Sequence, residues 1–245
     1  MTRRTHTAAP QTLGETTSVN RLRARFTAMG VDASRPVADT PAAIPALEAA
    51  QSRIPSRYRQ ATVSDPRVRQ WVDDVAANAT APTAGGRREV STGPSLLLLG
   101  ATGVGKTHEA IAAIRTLIAT GIVVRWESIT AADLYGEMRP RQGVDPEWML
   151  RRLVRIPVLH LDDLGAATTT RWTEELTYRL INHRYNRELP TLITSNLAPV
   201  RTTSMPPDQP VLREQIGDRV ASRLVGMCRQ IAVTGTDRRR AQPAV

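Results

Sequence analysis

The sequence predicts an α/β fold in which a parallel sheet lies between helices, and three observations predict it. Four consecutive leucines, Leu96–Leu99, run directly into the turn Gly100-Ala-Thr-Gly-Val-Gly-Lys-Thr107 and then into a segment of helical periodicity. Apolar runs of strand length alternate with amphipathic segments of helix length from residue 95 to residue 233. That alternation gives parallel strands joined by right-handed crossovers. Polar residues suited to one ligand, Asp162, Asp163 and Asn196, stand at the ends of the later runs, where open α/β sheets bind ligands.

Residues 1–17 are polar and lack periodicity, the pattern of a disordered segment. Residues 18–30 read as a short helix, with Ser18 as cap, Leu22, Phe26 and Met29 on one face, and Gly30 at the end. A lone helix of this length has little core of its own. Its stripe is assigned to binding a partner; docking on the main domain is the plainer alternative. A Pro- and Ala-rich stretch, with a short helix near Ile44–Gln51, leads to a helix at 66–79. There Asp65 caps, Pro66 occupies the first turn, and Val68, Trp71, Val72 and Val75 share a face. Residues 80–94 form a loop into the leucine strand.

After the glycine turn, Ile111, Ile114, Leu117 and Ile118 define a helix that Gly121 ends. Ile122–Trp126 is the expected second strand, followed by helices at 130–139 and 146–155 with a loop at Pro140–Asp145. Pro157–Leu161 is the third strand, 171–187 a helix, Thr191–Ser195 the fourth strand, 211–225 a helix, and Arg229–Val233 the fifth strand. The expected organisation is a basic N-terminal region at 1–52, a connecting helix and loop at 53–94, the nucleotide domain at 95–235, and a basic tail at 236–245.

The chain has 245 residues, 41% of them hydrophobic, enough for a substantial core. Its one cysteine, Cys228, excludes an internal disulfide and a cysteine-rich zinc site. No run approaches membrane-spanning length and no secretory signal pattern opens the chain, so the expected setting is cytoplasmic and nucleoid-associated, with no membrane partner. The net charge of +10 is concentrated in residues 1–60 and 213–245. Basic ends suit a polyanion, most commonly nucleic acid. Of 33 basic residues, Lys106 alone is lysine. A slim point charge and a planar arginine fork are not equivalent among phosphates.

The glycine turn fits G-x-x-x-x-G-K-[ST] through Gly100, Gly105, Lys106 and Thr107, in the strand–loop–helix context that a phosphate-binding loop requires. Gly100, Gly103 and Gly105 let the backbone turn and aim its N–H groups at an anion. The helix N-terminus adds partial positive charge. Gly100, Ala101, Thr102, Gly103, Val104, Gly105, Lys106, Thr107 and His108 are the expected nucleotide-binding set. Lys106 would reach the β/γ-phosphates and Thr107 would ligate Mg²⁺, making ATP and Mg²⁺ the expected cofactors. Asp162, ending an apolar strand, would hold Mg²⁺ through water, and Asp163 would polarise the attacking water. His160 reads as a packed core histidine. Asn196 is placed to hydrogen-bond the γ-phosphate and the water. Arg219 and Arg223 share a helix face at i and i+4. They form surface salt bridges or supply an arginine finger to a neighbouring subunit's γ-phosphate.

Gly100–Thr107, Leu161-Asp-Asp-Leu-Gly165, Thr191–Asn196, Gly217–Leu224 and, upstream, Ile54-Pro-Ser-Arg-Tyr58 together resemble the DnaC/IstB branch of the AAA+ ATPases over roughly residues 53–235. The resemblance implies an AAA+ ATPase domain at 95–235, with a five-stranded sheet in the order 5-1-4-3-2. It implies Asp162 at the metal, Asp163 activating water, Asn196 as sensor 1, Arg219 as the finger and Arg223 as a second interface arginine, hence self-assembly through that interface. It also implies an insertion at about 128–155 that lines a single-strand DNA path, with Arg151 and Arg152 on it. The expected core has no C-terminal lid domain, a departure from the wider AAA+ pattern. Glu109 stands where an apolar or amide residue is expected. The expectation is a replicative helicase loader that binds ATP and single-stranded DNA and holds its helicase through Leu22, Phe26 and Met29. The alternative is an IstB-like transposition helper that works with a transposase on duplex DNA. A small-molecule kinase is a poorer match to the paired arginines and the strand-end Asn196.

Overall fold

The leucine run becomes a strand with a different core on each side. In the computed structural model, which describes residues 43–139 and 146–238, it is β1 (Ser95–Leu99), buried along its length between β4 (Thr191–Ser195) and β5 (Cys228–Ala232). β2 (Trp126–Thr130) and β3 (Val158–Asp162) complete a five-stranded, all-parallel sheet in the order β2-β3-β4-β1-β5, which is the expected 5-1-4-3-2 read from the other edge. Successive side chains of a strand point to opposite faces. Leu96 and Leu98 therefore join one cluster, with α1 (Ala43–Ser52), α2 (Pro66–Ala77) and α3 (Lys106–Ala119). Leu97 and Leu99 join another, with α4 (Ala131–Glu137), α5 (Pro146–Arg155), α6 (Arg171–Asn186), α7 (Leu212–Ile216) and α8 (Asp218–Met227).

Local chemistry sets the element ends. Asp65 accepts the Arg67 N–H at 2.8 Å and Pro66 opens α2. Thr170 and Thr173 form a reciprocal cap on α6. Trp71 and Trp126, both buried, donate their indole N–H groups to the carbonyls of Pro94 and Ala50 at 2.7 and 2.9 Å, so neither leaves an unpaired donor in the core.

Two elements differ from expectation. The second strand does not begin at Ile122. Val123 donates to the Arg88 carbonyl and accepts from the Val90 N–H, so this stretch pairs with residues 88–90 before the sheet begins at Trp126. The alternating burial of Ile122, Val124 and Trp126 is real, but its first hydrogen-bonding partner is a loop. The later start brings Thr130 opposite Asp162 at the end of the sheet. The helix expected at 211–225 is two helices, α7 and α8, broken at Gly217, whose φ is 80°. That left-handed φ favours glycine, and the Glu174 carboxylate of α6 occupies the space a side chain there would take.

Arg184 of α6 is fully buried and was not singled out from the sequence. Its guanidinium donates to Thr191 Oγ1 (2.8 Å) and to the carbonyls of Leu153 (3.0 Å), Ile156 (2.8 Å), Pro157 (3.1 Å) and Pro190 (2.9 Å). These acceptors lie at the end of α5 and at the entrances of β3 and β4. Burial lowers the guanidinium pKa to about 9, which leaves it charged at neutral pH. The helix expected at 18–30, with Leu22, Phe26 and Met29, and the loop at Pro140–Asp145 lie outside the described residues.

Candidate functional site

The carboxyl ends of β1, β3 and β4 open into one polar cleft of about 520 Å³, lined by Thr102, Gly103, Gly105–His108, Thr130, Asp162, Asp163, Thr194 and Asn196. The glycine turn wraps one end of it. Gly103 and Gly105 have φ of 86° and 105°, left-handed values that glycine adopts without strain. Gly105 leads directly into α3, whose first residue is Lys106.

Lys106 is 5% exposed. Its ammonium donates to the carbonyls of Gly100 (2.9 Å) and Ala101 (2.8 Å) and to Asn196 Oδ1 (2.6 Å). Asn196 in turn donates its amide Nδ2 to the Asp163 carboxylate. This orientation of the amide is the one the chemistry allows: turning it over would set NH₂ against an ammonium and an oxygen against a carboxylate. The sequence-predicted residues Lys106, Asn196 and Asp163 thus form a continuous chain, cation to amide to anion, across the ends of β3, β4 and the glycine loop. Asp163 takes a left-handed conformation, φ 58°, with its N–H donated to Thr194 Oγ1 at 2.9 Å.

Asp162 lies against Thr107. The Thr107 hydroxyl donates to its carboxylate at 2.9 Å, and Thr194 Oγ1 donates at 2.5 Å. Burial raises the Asp162 pKa, but His160 beside it and the hydroxyls of Thr194 and Thr107 outweigh that effect, and the carboxyl lies at about 2. It is therefore ionised throughout the physiological range. His160 does more than pack: its Nδ1 lies 2.8 Å from Ser128 Oγ, and its Nε2 is 3.5 Å from Asp162. A hydroxyl beside an ionised carboxylate is a donor set suited to a hard divalent cation that also leans on phosphate oxygens. Among the described residues, no group of three His, Cys, Asp or Glu side chains forms a metal site without such help. Both the glycine cradle and this oxygen pair fit Mg²⁺ with a nucleotide.

One side of the cleft was not legible from motif spacing. Arg57, Tyr58, Gln60 and Ala61 line it, beside His108. The Tyr58 and His108 rings meet edge to face at 6.5 Å. Glu109, buried one turn into α3, accepts the Ser64 N–H at 3.1 Å and also the Ser64 hydroxyl, while Arg115 donates to the Ala61 carbonyl at 2.7 Å. These contacts fasten residues 61–64 to the phosphate-loop helix, which accounts for a carboxylate at position 109. His108 Nδ1 is buried with no hydrogen-bond partner among the described residues.

Arg219 and Arg223 do not line this cleft. Arg219 is exposed, with its guanidinium 3.7 Å from the Tyr178 ring centroid. Arg223 donates to Asn182 Oδ1 (2.5 Å) and the Tyr178 hydroxyl (3.2 Å). Arg151 and Arg152 are exposed on α5, where Arg152 pairs with Glu127 and lies 5.0 Å from the centroid of the exposed Trp148 ring. No helix among the described residues is long and apolar enough to cross a membrane.

A family model described as "IstB-like ATP binding protein" matches residues 88–244. The chain belongs to that family. Membership accounts for the phosphate loop and the AAA+ strand order together. Within the IstB-like family's surroundings, the chain is 32% identical over 152 residues to a protein named as ATP-binding in an insertion sequence of Mycobacterium tuberculosis, covering 60% of this chain and 57% of that protein. It is 29% identical over 156 residues to the replicative helicase loader DnaI of Bacillus subtilis, covering 61% of this chain and 46% of DnaI. A crystal structure of the DnaC helicase loader superposes with a TM-score of 0.54 at 25% identity, covering 74% of this chain and 100% of that one. The chain spans about half the length of the curated relatives it matches.

Proposed function

We propose that this IstB-like protein is an ATPase whose hydrolysis is completed by a neighbouring copy, and that it loads a replicative helicase. The observation that carries the first half is the Lys106–Asn196–Asp163 chain, set beside an Arg219 that lies outside its own cleft. Lys106 and the loop amides would hold the phosphates of ATP, and Thr107 and Asp162 would hold Mg²⁺. When bound, that ion neutralises phosphate charge. Asp163 would orient and polarise the attacking water, and its bond from Asn196 keeps the carboxylate turned toward the cleft. Asn196 touches both the phosphate-binding cation and the water-activating anion, so it can couple one to the other. Arg219, held over the Tyr178 ring at the surface, suits a charge delivered to the γ-phosphate of another subunit, and Arg223 lies against the same ring.

Likeness to the DnaC loader over its whole length supports the helicase as partner, with single-stranded DNA held along α5 by Arg151 and Arg152. A second reading, a transposition helper acting with a transposase on duplex DNA, is favoured by the insertion-sequence relative. The test of hydrolysis in trans mixes two inactive variants. Arg219→Ala should bind ATP normally and lose hydrolysis by up to about 10³-fold, while Lys106→Ala should fail to bind. Their mixture should regain part of the activity, because one interface pairs an intact cleft with an intact finger. No recovery, together with loss of ATP binding by Arg219→Ala alone, would place Arg219 in its own site. Pull-downs with the helicase and with the transposase of the same genome separate the two partner readings.

A further inference from the structure

The chain leaving β5 does not depart from the molecule; it crosses the phosphate loop. Val233 donates its N–H to the Leu99 carbonyl at 2.7 Å, continuing the pairing past the strand, and its own carbonyl would lie 2.2 Å from a Cβ on Gly100. Beyond Gly235 the Arg238 N–H donates to the Gly103 carbonyl at 3.0 Å. The Asp237 carboxylate lies where a side chain on Gly103 would be, 1.9 Å from the built Cβ position, and the Arg238 guanidinium lies 3.3–3.6 Å from the corresponding position on Gly105. Residues 233–238 thus run over Gly100, Gly103 and Gly105 in turn, and the missing side chain at Gly100 leaves room for the Val233 carbonyl, as that at Gly103 does for the Asp237 carboxylate.

Arg238 lines the cleft, its guanidinium beside Gly105. It is exposed, and among the described residues its guanidinium has no hydrogen-bond or ion-pair partner. Arg115, by contrast, is fixed on the Ala61 carbonyl at 2.7 Å. A cation anchored by its backbone at Gly103, with its head group over Gly105, lies beside the loop amides that cradle the α- and β-phosphates, whereas the lysine of such loops reaches the β/γ side. A planar guanidinium suits two phosphate oxygens at once.

We propose that Arg238 contacts the α/β-phosphates of the nucleotide bound in its own subunit. The assignment rests on the ATP reading above, and it divides the work between two cations: Arg238 for the diphosphate shared by ATP and ADP, Lys106 for the β/γ side. The full chain is titrated with ATP, ADP and inorganic pyrophosphate, as wild type, Arg238→Ala, Arg238→Lys and Lys106→Ala. Arg238→Ala should weaken ATP and ADP alike, by about tenfold, and weaken pyrophosphate in step, since the contact needs no base. Arg238→Lys should recover part of the loss. The urea midpoint should not move, because the side chain is exposed and the backbone bond to Gly103 remains. Unchanged ADP affinity in Arg238→Ala overturns the proposal, as does weakened ADP with unchanged pyrophosphate, which would place the guanidinium on the base. Either result leaves the ATP reading standing if Lys106→Ala still abolishes binding. Failure of the wild type to bind either nucleotide removes the ATP reading, and the role of Arg238 with it.

Discussion

The sheet carries a buried cation at each end, and the two are built for opposite purposes. At the amino ends of β3 and β4, Arg184 is fully buried with its donors spread over a hydroxyl and four carbonyls. At the carboxyl ends, Lys106 is nearly as buried, yet it borders an open cleft and shares an amide with an anion. A planar group with five donors satisfies a fixed ring of acceptors and then has nothing left to offer. A small ammonium with rotatable donors can exchange acceptors without moving its backbone. The comparison shows why a chain that uses arginine almost everywhere has its lysine at this position: the static position takes the fork, and the position that must admit phosphate takes the point charge.

If that contrast is right, the two residues fail differently. Arg184→Ala leaves four carbonyls and a hydroxyl without their donor in the core, and should cost about 3–5 kcal/mol of stability, read as a large drop in urea midpoint. Arg184→Lys should recover only part of it, because three donors cannot serve that ring. A variant as stable as wild type would show that these carbonyls find other partners. Lys106→Ala should instead lower ATP affinity by about 100-fold or more and leave the urea midpoint nearly unchanged, since water can reach the groups it abandons. Equal destabilisation by both substitutions would erase the distinction.

A third prediction concerns the acid limb of stability. The Asp162 carboxyl lies at about 2 in the folded protein against an ordinary value of 3.8. Its contribution is therefore fully present above about pH 4 and disappears as pH falls through 2; it amounts to about 2 kcal/mol. The difference in urea midpoint between wild type and Asp162→Asn should narrow as pH drops below 4, and a gap that stays constant from pH 6 to pH 3 would contradict the assignment. The smallest expected effect is on nucleic acid. Removing both Arg151 and Arg152 should weaken single-stranded DNA binding and reduce the slope of log affinity against log salt by about 1–2. An unchanged slope would take α5 out of the DNA path.

Much of the fold was legible because its signals are local. Leu96–Leu99, the glycine turn and the apolar stripe of α3 each declare their structure within a few residues, and strand order followed from the family pattern those motifs carry. The glycine loop and the strand-end residues Asp162, Asp163 and Asn196 were legible for the same reason, while the wall at Arg57–Ala61 and Arg238 was not. What escaped depended on distant neighbours. The start of β2 was misplaced because Val123 pairs with residues 88–90, a partner that no periodicity in 122–126 reveals. The break at Gly217 rests on a left-handed backbone, φ 80°, that a lone glycine inside an apolar helical pattern does not announce. Arg184 reads as one more basic residue near the end of a helix, beside His183 and just before Arg187; only the convergence of four carbonyls distinguishes it. Thr194 reaches across to the neighbouring strand end, donating to the Asp162 carboxylate and accepting the Asp163 N–H, a pairing that depends on strand order and not on local pattern.

Helix α6 holds both Arg184 and, six residues earlier, the Tyr178 ring on which Arg219 rests. One rod therefore runs from the entrances of β3 and β4 to the surface of α8, and the glycine gap at 217 lets α8 lie directly against it. A molecule docking on Arg219 meets a side chain whose position is indexed to this subunit's own sheet. The Arg219 guanidinium at the surface and the Arg184 guanidinium in the core are thus tied to one helix, so the position of the outer charge is fixed by the same rod that closes the entrances of β3 and β4.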